Sequence, residues 1–396
     1  MSVGGSEAHA WIRHRNRALV LNIIRRRGRV SRADIVEASN LSLPTVSQIT
    51  QSLLVEGMIE EIAIGPSRGG RRPALIAIRP DYGWVIGMKI YPGTIDMAVT
   101  NYLGELLASQ EVQTPTGDVK QVAADICAIV EQLRRKDVPF TGRCLGIGIA
   151  VPGIVWQASG MLRNSSLGWP DLDFRALLQN QLNLPVMLDN DVNILAQGHL
   201  LFGQAQGLQN VLVVTIGRGF GLGLIMRGSV YRGNGGAAAE IGHIPWKTTA
   251  NRCACGRYDC IENTISDAGA LARYRERVPD AELTIEALRE LAVAGVSEAV
   301  SVFEEMGREA AKAIFTLVNI VAPELIILSG EGLAAGPALV ETLKREWDNL
   351  SAGGIHQPLK WVIDSWDNFL WARSAVSLVF DELIFPETAR GPALRT

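Results

Sequence analysis

Residues 239–262 read AEIGHIPWKTTANRCACGRYDCIE and hold three of the chain's five cysteines. Cys253, Cys255 and Cys260 fall within eight positions, shortly after His243. One imidazole and three thiolates form a closed tetrahedral donor set, which is typical of structural zinc and leaves no open position for a catalytic water. The alternative, three free thiols in a loop, leaves the crowding of scarce cysteines unexplained. The stretch therefore predicts a structural Zn²⁺ that holds a loop in shape.

Two carboxylates flank this predicted metal loop. Glu240 lies three residues before His243, and Glu262 lies two residues after Cys260. A carboxylate accepts hydrogen bonds from neighbouring hydroxyls, so a fixed pair suits a sugar. The alternative is that both are solvated surface residues, which is the commoner role of Glu.

Composition describes a globular protein of two or three domains. Of 396 residues, 47% are hydrophobic and 20% are charged. We expect no membrane span, because no apolar run reaches about 18 residues. The N-terminus lacks the apolar segment of a secretory signal, and the few cysteines, most of them assigned to metal, indicate a reducing cytoplasm.

Charge is distributed unevenly along the chain. Residues 1–80 contain twelve arginines and six acidic residues, a net +6, which leaves −9 for the rest against a total of −3. This asymmetry favours a nucleic-acid-binding module at the N-terminus, although a basic segment can also be plain solvated surface.

The N-terminal segment predicts a helix-turn-helix. An amphipathic helix over residues 10–27 precedes Ser31 and Asp34, an acidic form of the capping box that starts a second helix. A short turn follows, and Ser42 caps the next helix. Two short helices joined by a tight turn are typical of DNA binding, with the second helix in the major groove. The groove contacts we expect are Ser42, Thr45, Ser47 and Gln48.

A wing should follow. Residues 58–65 (MIEEIAIG) and 66–78 (PSRGGRRPALIAI) predict two strands around a Gly- and Arg-rich tip. Arg68, Arg71 and Arg72 would lie along phosphates or in the minor groove. A small helical protein-binding module explains the helical periodicity but not these arginines. Beyond residue 82, strands alternate with helices, which predicts an α/β body with its sites at strand ends.

Short motifs follow one another along the body, and they read Val151-Pro-Gly-Ile154, Asn190-Asp-Val-Asn193, Gly217-Arg-Gly-Phe-Gly-Leu-Gly223, Glu240-Ile-Gly-His243 and Cys253-Ala-Cys-Gly-Arg-Tyr-Asp-Cys-Ile-Glu262. With these motifs behind the N-terminal helix-turn-helix, the chain resembles the ROK family of sugar kinases and transcriptional regulators over nearly its whole length. The resemblance implies an N-terminal winged helix-turn-helix and a two-lobed, actin-like sugar-kinase (ribonuclease H-like) body. It divides the chain into a head (1–80), a first lobe (81–190) and a second lobe with the zinc loop (191–396), whose C-terminal helix packs back on the first lobe.

The resemblance also implies site residues. His243, Cys253, Cys255 and Cys260 hold zinc in such proteins, and a sugar pocket is lined by Asn190, Asp191, Glu240, His243 and Glu262. The alternative for Asp191 is a helix N-terminal residue, where Asp is favoured. Ser165 and Ser166 stand where many relatives have a sugar-contacting amide, so we expect Ser166 to contact the ligand.

Departures from the kinase pattern favour a regulator over an enzyme. Lys89 stands where the kinases have an aspartate, and Tyr91 and Pro92 stand where they have glycines, which removes a backbone cradle for phosphate. Glu331 places a carboxylate among the glycines of a later nucleotide loop. The 217–223 glycine run survives, and a tight turn between strands explains it without a ligand.

The sequence therefore predicts a sugar-responsive DNA-binding regulator of carbohydrate uptake and catabolism genes. We expect it to repress until its ligand binds between the lobes, with activation by the ligand as the alternative. A homodimer is expected, with a tetramer as the alternative, because two heads can match the spacing of two half-sites. The competing hypotheses are a sugar kinase with a DNA-binding head and a DNA-binding scaffold whose body binds no ligand; the retained polar set around His243 argues against the scaffold.

Overall fold

The computed structural model describes residues 3–64, 74–115, 117–135, 140–163, 166–247, 252–353, 359–364 and 369–384. The chain forms two compact units, each built from segments that are distant in sequence. Unit 1 comprises Met1–Val151, Asp173–Leu188 and Trp371–Thr396, and unit 2 comprises Pro152–Leu172 and Asp189–Leu370. None of the described helices is both long and apolar enough to cross a lipid bilayer.

Unit 1 begins with a helical head and a small sheet. In chain order the head contains α1 (Val3–Arg27), β1 (Val30–Ser31), α2 (Arg32–Ser39), α3 (Leu43–Val55), β2 (Ile59–Ile64) and β3 (Ala74–Ile78). The sheet order is β1-β3-β2, and both pairings are antiparallel. Helix α1 starts earlier than predicted, through Gly4 and Gly5, which are weak helix formers and gave no helical signal.

Local sequence sets the ends of the head helices. The Ser31 hydroxyl accepts a hydrogen bond from the backbone N–H of Asp34 at 3.2 Å, and the Asp34 carboxylate accepts one from the backbone N–H of Ser31 at 2.9 Å. The predicted capping box is thus confirmed. Asn40 ends α2 in the left-handed conformation (φ 57°), and Ser42 caps α3, with Pro44 in its first turn.

Beyond the head, strands alternate with helices. Up to residue 202 the elements are β4 (Gly83–Tyr91), β5 (Thr94–Asn101), β6 (Leu106–Gln113), α4 (Val119–Arg134), β7 (Arg143–Val151), β8 (Ile154–Trp156), β9 (Met161–Arg163), β10 (Leu172–Asp173), α5 (Phe174–Leu182), β11 (Val186–Asn190) and α6 (Asp191–Phe202). They continue as β12 (Val211–Ile216), β13 (Phe220–Met226), β14 (Ser229–Val230), α7 (Asp267–Arg277), α8 (Ile285–Val293), α9 (Ser297–Val321), β15 (Leu325–Ser329), α10 (Pro337–Ser351), β16 (Lys360–Ile363) and α11 (Leu370–Val379).

The main sheet of unit 1 has the order β11-β7-β4-β5-β6. Strand β4 pairs in parallel with β7 and antiparallel with β5. Helix α11 lies directly on this sheet, because a Cβ at Gly87 or Gly148 would come within 1.9 Å of the carbonyl oxygen of Ala372 or Ala375. The two strand glycines therefore make room for the helix backbone.

Unit 2 is organised around a five-stranded sheet of order β14-β13-β12-β15-β16. Strands β12, β15 and β16 are parallel, whereas β13 and β14 continue the sheet antiparallel. Helix α9 buries one apolar face in the core of this unit, with Val302, Phe303, Met306 and Ile314 fully buried. The predicted alternation of strands and helices is confirmed, and β12 and β15 end side by side.

Candidate functional site

The four predicted metal ligands converge at one point of unit 2. Nδ1 of His243 lies 3.6 Å from Sγ of Cys253, and Sγ of Cys255 lies 3.6 Å from Sγ of Cys260. All four donor atoms lie within 4.8 Å of one another. Zinc bonds of about 2.3 Å to sulfur and 2.0 Å to nitrogen require donor separations of roughly 3.5–3.8 Å in a tetrahedron. The donor set therefore fits a tetrahedral ion.

Backbone turns bring these donors together. Isolated antiparallel bridges join Pro245 to Cys260 and Arg252 to Tyr258, so the chain folds back on itself twice. Gly256, between the second and third cysteines, has φ +87°, a conformation that favours glycine. Apart from these isolated bridges, the described residues of the loop form no strand, so side chains must contribute much of its order.

A buried carboxylate on α9 anchors the start of the loop. Glu309 accepts hydrogen bonds from the indole Nε1 of Trp246 at 2.7 Å, from Lys247 at 2.8 Å and from Lys312 at 3.1 Å. Burial alone would raise the pKa of Glu309, but these three donors outweigh it and hold the pKa below its usual value. Sequence reasoning missed Glu309, because its partners in the loop, Trp246 and Lys247, lie about sixty residues away, and an i,i+3 neighbour such as Lys312 is common on any helix.

Glu262 lies between the predicted metal ligands and the glycine run. A Cβ at Gly219 or at Gly242 would come within 2.9 Å of its Oε2 atom, and its Oε1 atom lies 3.9 Å from Sγ of Cys253. Burial raises the pKa of Glu262, with His243 and a backbone hydrogen bond at Phe220 acting in the opposite direction. The carboxylate is thus packed into the site and is not a solvated surface group.

Glu240 and Asp191 belong to the same cluster. Glu240 keeps an exposed surface, and partial burial of its carboxylate raises its pKa; the charge of His243 opposes this rise, and the charges of Asp191 and Glu262 add to it. The three carboxylates and the imidazole are therefore electrostatic neighbours. Ser166 is exposed, and no hydrogen bond within the described residues joins it to the cluster.

Asn190 and Asp191 also begin α6. The Asn190 side-chain oxygen accepts from the backbone N–H groups of Val192 at 2.9 Å and Asn193 at 3.3 Å, and its Nδ2 donates to the carbonyl of Gly153 at 3.0 Å. Asn190 is thus the N-cap of the helix, and its amide already has protein partners. Asp191, the first helical residue, accepts from Val192 at 2.9 Å.

A buried ion pair that the sequence did not reveal supports this turn. Nε of Arg232 lies 2.6 Å from the carboxylate of Asp189, whose side chain is 1% exposed. The same carboxylate accepts from the backbone N–H of Asn190 at 2.7 Å. Arg232 thereby joins the chain leading to Glu240 to the chain leading to Asp191. A lone Asp and a lone Arg 43 residues apart carry no signal in sequence.

The four glycines of the 217–223 run provide space and not conformational freedom. None of them has a positive φ. A Cβ at Gly221 would come within 2.7 Å of the side chain of Val192, and one at Gly223 within 2.6 Å of the Val192 carbonyl oxygen, so α6 packs against β13. The explanation as a tight turn is therefore incomplete, because Gly217 and Gly219 additionally lie under carboxylates.

The predicted groove residues lie at the start of α3. Ser42 and Gln48 are exposed, whereas Thr45 and Ser47 are half-buried. The hydroxyls of Ser42 and Thr45 are 2.8 Å apart and share the cap of the helix. The structure adds Gln51, which is exposed one turn beyond Gln48 and which sequence reasoning passed over although the helical period would have shown it.

Not all of the head's basic residues are available for DNA. Arg17 binds Glu56 at 2.8 Å, and Arg32 binds Glu61 at 3.1 Å. The predicted wing strands are present as β2 and β3, but Arg68, Arg71 and Arg72 lie outside the described residues.

The β4–β5 turn in unit 1 is a compact hairpin. Tyr91 pairs with Thr94 across Pro92 and Gly93, and Gly93 has φ +90°. Lys89 is 3% exposed, and its ammonium lies 5.0 Å from the ring centre of Tyr91 and 5.5 Å from that of Trp371. A buried cation between aromatic faces thus precedes a turn of two residues.

Comparisons with known proteins agree with this architecture. The ROK family profile matches residues 85–377, and a winged helix-turn-helix DNA-binding profile matches residues 13–60. The chain is 28% identical over 400 aligned positions to the xylose repressor of Caldicellulosiruptor bescii, and the alignment covers 96% of this chain and 99% of that protein. It is 26% identical over 342 positions to the DNA-binding transcriptional dual regulator NagC of Escherichia coli, covering 84% of each.

A solved structure has the same fold over nearly the whole chain. A ROK family transcriptional regulator, described as a homolog of the E. coli MLC protein, superimposes with a TM-score of 0.84. The identity is 24%, and the alignment covers 96% of this chain and 100% of that one. The head and the body occur together in that protein as they do here.

Proposed function

The chain belongs to the ROK family, and from that premise we propose that it is a sugar-responsive transcriptional regulator that represses genes of carbohydrate uptake and catabolism. One observation carries the proposal: a capped helix-turn-helix and a gathered set of carboxylates beside a metal loop occur in the same chain. Its partners are operator DNA and a sugar or sugar derivative. The division into a head (1–80) and two lobes (81–190 and 191–396) is part of this proposal.

The sugar binds at the cluster of unit 2. Asp191, Glu240 and Glu262 accept hydrogen bonds from ligand hydroxyls, and Nε2 of His243 contacts the same ligand. Asn190 and Ser166 complete the contacts. The side-chain amide of Asn190, which caps α6, would bond the ligand in addition to its protein partners. Such a site rejects analogues without the hydroxyls, because polar groups that the bound ligand removes from water would be left without partners.

Zinc is proposed as a structural ion held by Nδ1 of His243 and by Cys253, Cys255 and Cys260. The 3.6 Å donor separations support this assignment. When bound, the ion fixes the fold of the loop, because four protein ligands leave no position for a reacting water. Metal coordination at Nδ1 also sets the orientation of the imidazole and therefore the direction of Nε2.

The protein is proposed to be a regulator without kinase activity. The two-residue turn at Pro92 and Gly93 offers no extended run of backbone N–H groups to a phosphate, and Pro92 has none to give. The buried Lys89 ammonium supports the same conclusion, since a cation at this position repels a nucleotide-bound metal.

DNA is read by α3 and the wing. Ser42, Thr45, Ser47 and Gln48 contact base edges or phosphates, and Arg68, Arg71 and Arg72 contact the backbone or minor groove. A dimer presents two heads to a palindromic operator. The dimer releases the operator when sugar binds, because the sugar binds one conformation of the dimer more tightly than the other and shifts the population toward it.

A thermal-shift panel tests the proposal. Pentoses, hexoses, amino sugars and their phosphates are added to the full chain with and without Mg-ATP. A ligand at a hundred times its Kd adds about 2.7 kcal/mol, which raises the melting temperature by a few degrees. We expect one sugar class to shift the protein, no shift with ATP, and loss of operator binding with that sugar.

Two variants separate the two activities. Glu240→Gln should abolish the sugar shift and leave operator binding intact, whereas Gln48→Ala should weaken operator binding and leave the sugar shift intact. Phosphorylation of any sugar by the wild type, abolished in Asp191→Asn, would replace the regulator by the competing kinase.

A further inference from the structure

Strands β12 and β15 end together in unit 2, at Ile216 and Ser329, and a glycine follows each of them. Loops at the carboxyl ends of neighbouring parallel strands are the usual ligand positions of α/β proteins. Glycine turns whose N–H groups point outward bind anions there. The two loops here begin at Gly217 and Gly330.

An anion from the chain itself lies on the first loop. The Oε1 atom of Glu331 accepts a hydrogen bond from the backbone N–H of Arg218 at 2.8 Å. The carboxylate covers Gly217 so closely that a Cβ there would lie 2.6 and 2.7 Å from its two oxygens. The position is reached by a residue more than a hundred positions further along the chain.

The backbone around Glu331 is fixed. A Cβ at Gly330 would come within 2.4 Å of the Ile216 carbonyl oxygen, and one at Gly332 within 2.7 Å, so this segment rests directly on the end of β12. The side chain of Glu331 therefore projects from a backbone that has little room to shift.

A hydrogen bond from Asp267 holds the opposite side of the loop that begins at Gly217. The backbone N–H of Asp267 donates to the Gly217 carbonyl at 2.8 Å, and Asp267 pairs with the buried Arg289 at 2.6 Å. The charge of Asp267 is thus already matched by a cation. The outward N–H of Arg218 faces Glu331.

We infer that the Gly217–Phe220 loop is an anion site whose built-in occupant is the Glu331 carboxylate, and that this contact excludes phosphate groups from the ends of β12 and β15. A phosphate would need the same N–H group and would meet a like charge at van der Waals distance. The inference rests on the proposed function only in that a regulator transfers no phosphate. The bond between Glu331 and Arg218 uses neither the metal donors nor a sugar contact, although Glu262 of the sugar cluster bonds the backbone of Phe220 at the other end of the same loop.

Hydrogen exchange on the full chain tests the inference, followed by mass spectrometry of peptides covering residues 216–221. Wild type, Glu331→Ala and Glu331→Gln are compared without ligand, with inorganic phosphate and with pyrophosphate. Loss of a charged acceptor should speed exchange in Glu331→Ala by about tenfold or more. Pyrophosphate should restore protection in that variant and change nothing in the wild type. Glu290→Ala, which removes an exposed carboxylate from α8, is the matched control and should behave as the wild type.

Each result that differs from these expectations would overturn a defined part of the inference. Unchanged exchange in Glu331→Ala would show that Glu331 does not hold the loop. Faster exchange that neither anion reverses would make the contact a brace and not an anion site, and pyrophosphate protection of the wild type would disprove exclusion. If Glu331→Ala does not fold, Glu331→Gln serves, since its neutral amide holds the N–H more weakly and pyrophosphate should protect it. Failure of the sugar panel would leave all these results standing, so the two proposals fail separately.

Discussion

The head and the metal loop keep their shapes by different means. The head has capped helices, a paired sheet and a core in which Ile24, Ile35, Val46 and Leu53 are fully buried. The metal loop, in its described residues 240–247 and 252–262, has only single-turn 3₁₀ helices and isolated bridges. Regular secondary structure and a core of its own hold the head, whereas the loop has only scattered backbone hydrogen bonds and depends more on specific side chains.

The difference teaches where single substitutions should act. Many small contributions support the head, so the loss of one costs little. A few donors support the loop and act together, so the loss of one releases the others. Four substitutions, taken from the largest expected effect to the smallest, test this contrast.

Cys260→Ser should have the largest effect, because it removes a buried ligand from the proposed four. We expect metal content to fall from one ion per chain to nearly none. Unfolding free energy should fall by about 4 kcal/mol or more, the stabilisation given by a ligand at a thousand times its Kd. Elemental analysis and thermal unfolding with and without chelator measure both. Cys127→Ser, a thiol outside the cluster, should retain the metal; an ion-free wild type would refute the site.

Glu309→Ala should come next, because it removes the shared acceptor of Trp246, Lys247 and Lys312 while leaving the metal donors in place. Hydrogen bonds to a charged group are worth about 1.5–3 kcal/mol, so we expect a loss of about 2–3 kcal/mol in chemical denaturation. Glu304→Ala on the same helix, where a looser pair with Arg308 at 3.6 Å is lost, should cost less than 1 kcal/mol. Equal effects would mean that α9 does not anchor the loop.

Low pH should remove the stabilisation that the Glu309 carboxylate gives to the folded protein. The pKa of Glu309 is lower in the folded protein than in the unfolded chain, so its stabilisation is fully present above the unfolded value, about 4.5, and is lost as the pH falls through the folded value. The stability difference between wild type and Glu309→Gln should therefore be constant above about pH 5 and shrink below it. Denaturation curves at a series of pH values measure this, and a difference that grows in acid would contradict the assignment.

Ser31→Ala tests the head. It deletes the hydroxyl of the capping box at α2 and should cost about 1 kcal/mol, without effect on metal content. Denaturant unfolding compares it with Gln51→Ala, an exposed helix position where stability should not change by more than about 0.5 kcal/mol. A cost as large as that of Cys260→Ser would remove the contrast between the two regions.

Arg17→Ala should have the smallest effect. The Arg17–Glu56 pair is partly exposed, with side chains 28% and 42% accessible, and such pairs contribute about 0–1 kcal/mol. Unfolding measured at low and high salt should give a small loss that salt reduces further. The exchanged pair Arg17→Glu with Glu56→Arg should recover part of it, and a loss independent of salt would assign the effect to packing instead.

Features that depend on residues close together in the chain could be predicted from the sequence. The capping box needs residues three positions apart, and the metal donors stand within one loop, so spacing alone indicated both. The family was recognised from short motifs, and its profile matches residues 85–377.

Contacts between distant residues could not be predicted in this way. Glu309 meets Trp246 across 63 positions, and Arg232 meets Asp189 across 43. Sequence reasoning placed Glu331 among glycines, but its bond to the N–H of Arg218 depends on β12 and β15 lying side by side. Such partners become neighbours only when the sheet forms.

The glycine run has a consequence for how mutations can accumulate. Every missense change at a glycine codon adds a Cβ atom, and at Gly217, Gly219, Gly221 and Gly223 that atom would come within 3 Å of an atom from another segment. A missense change at Gly221 or Gly223 therefore requires α6 to shift, whereas at Gly217 and Gly219 the opposing atoms are the movable ends of Glu331 and Glu262. A lineage that had lost nucleotide chemistry would still keep Gly221 and Gly223, because the packing of α6 against β13 alone selects for them. The motif records a fold constraint, and it can outlive the reaction with which it is usually associated.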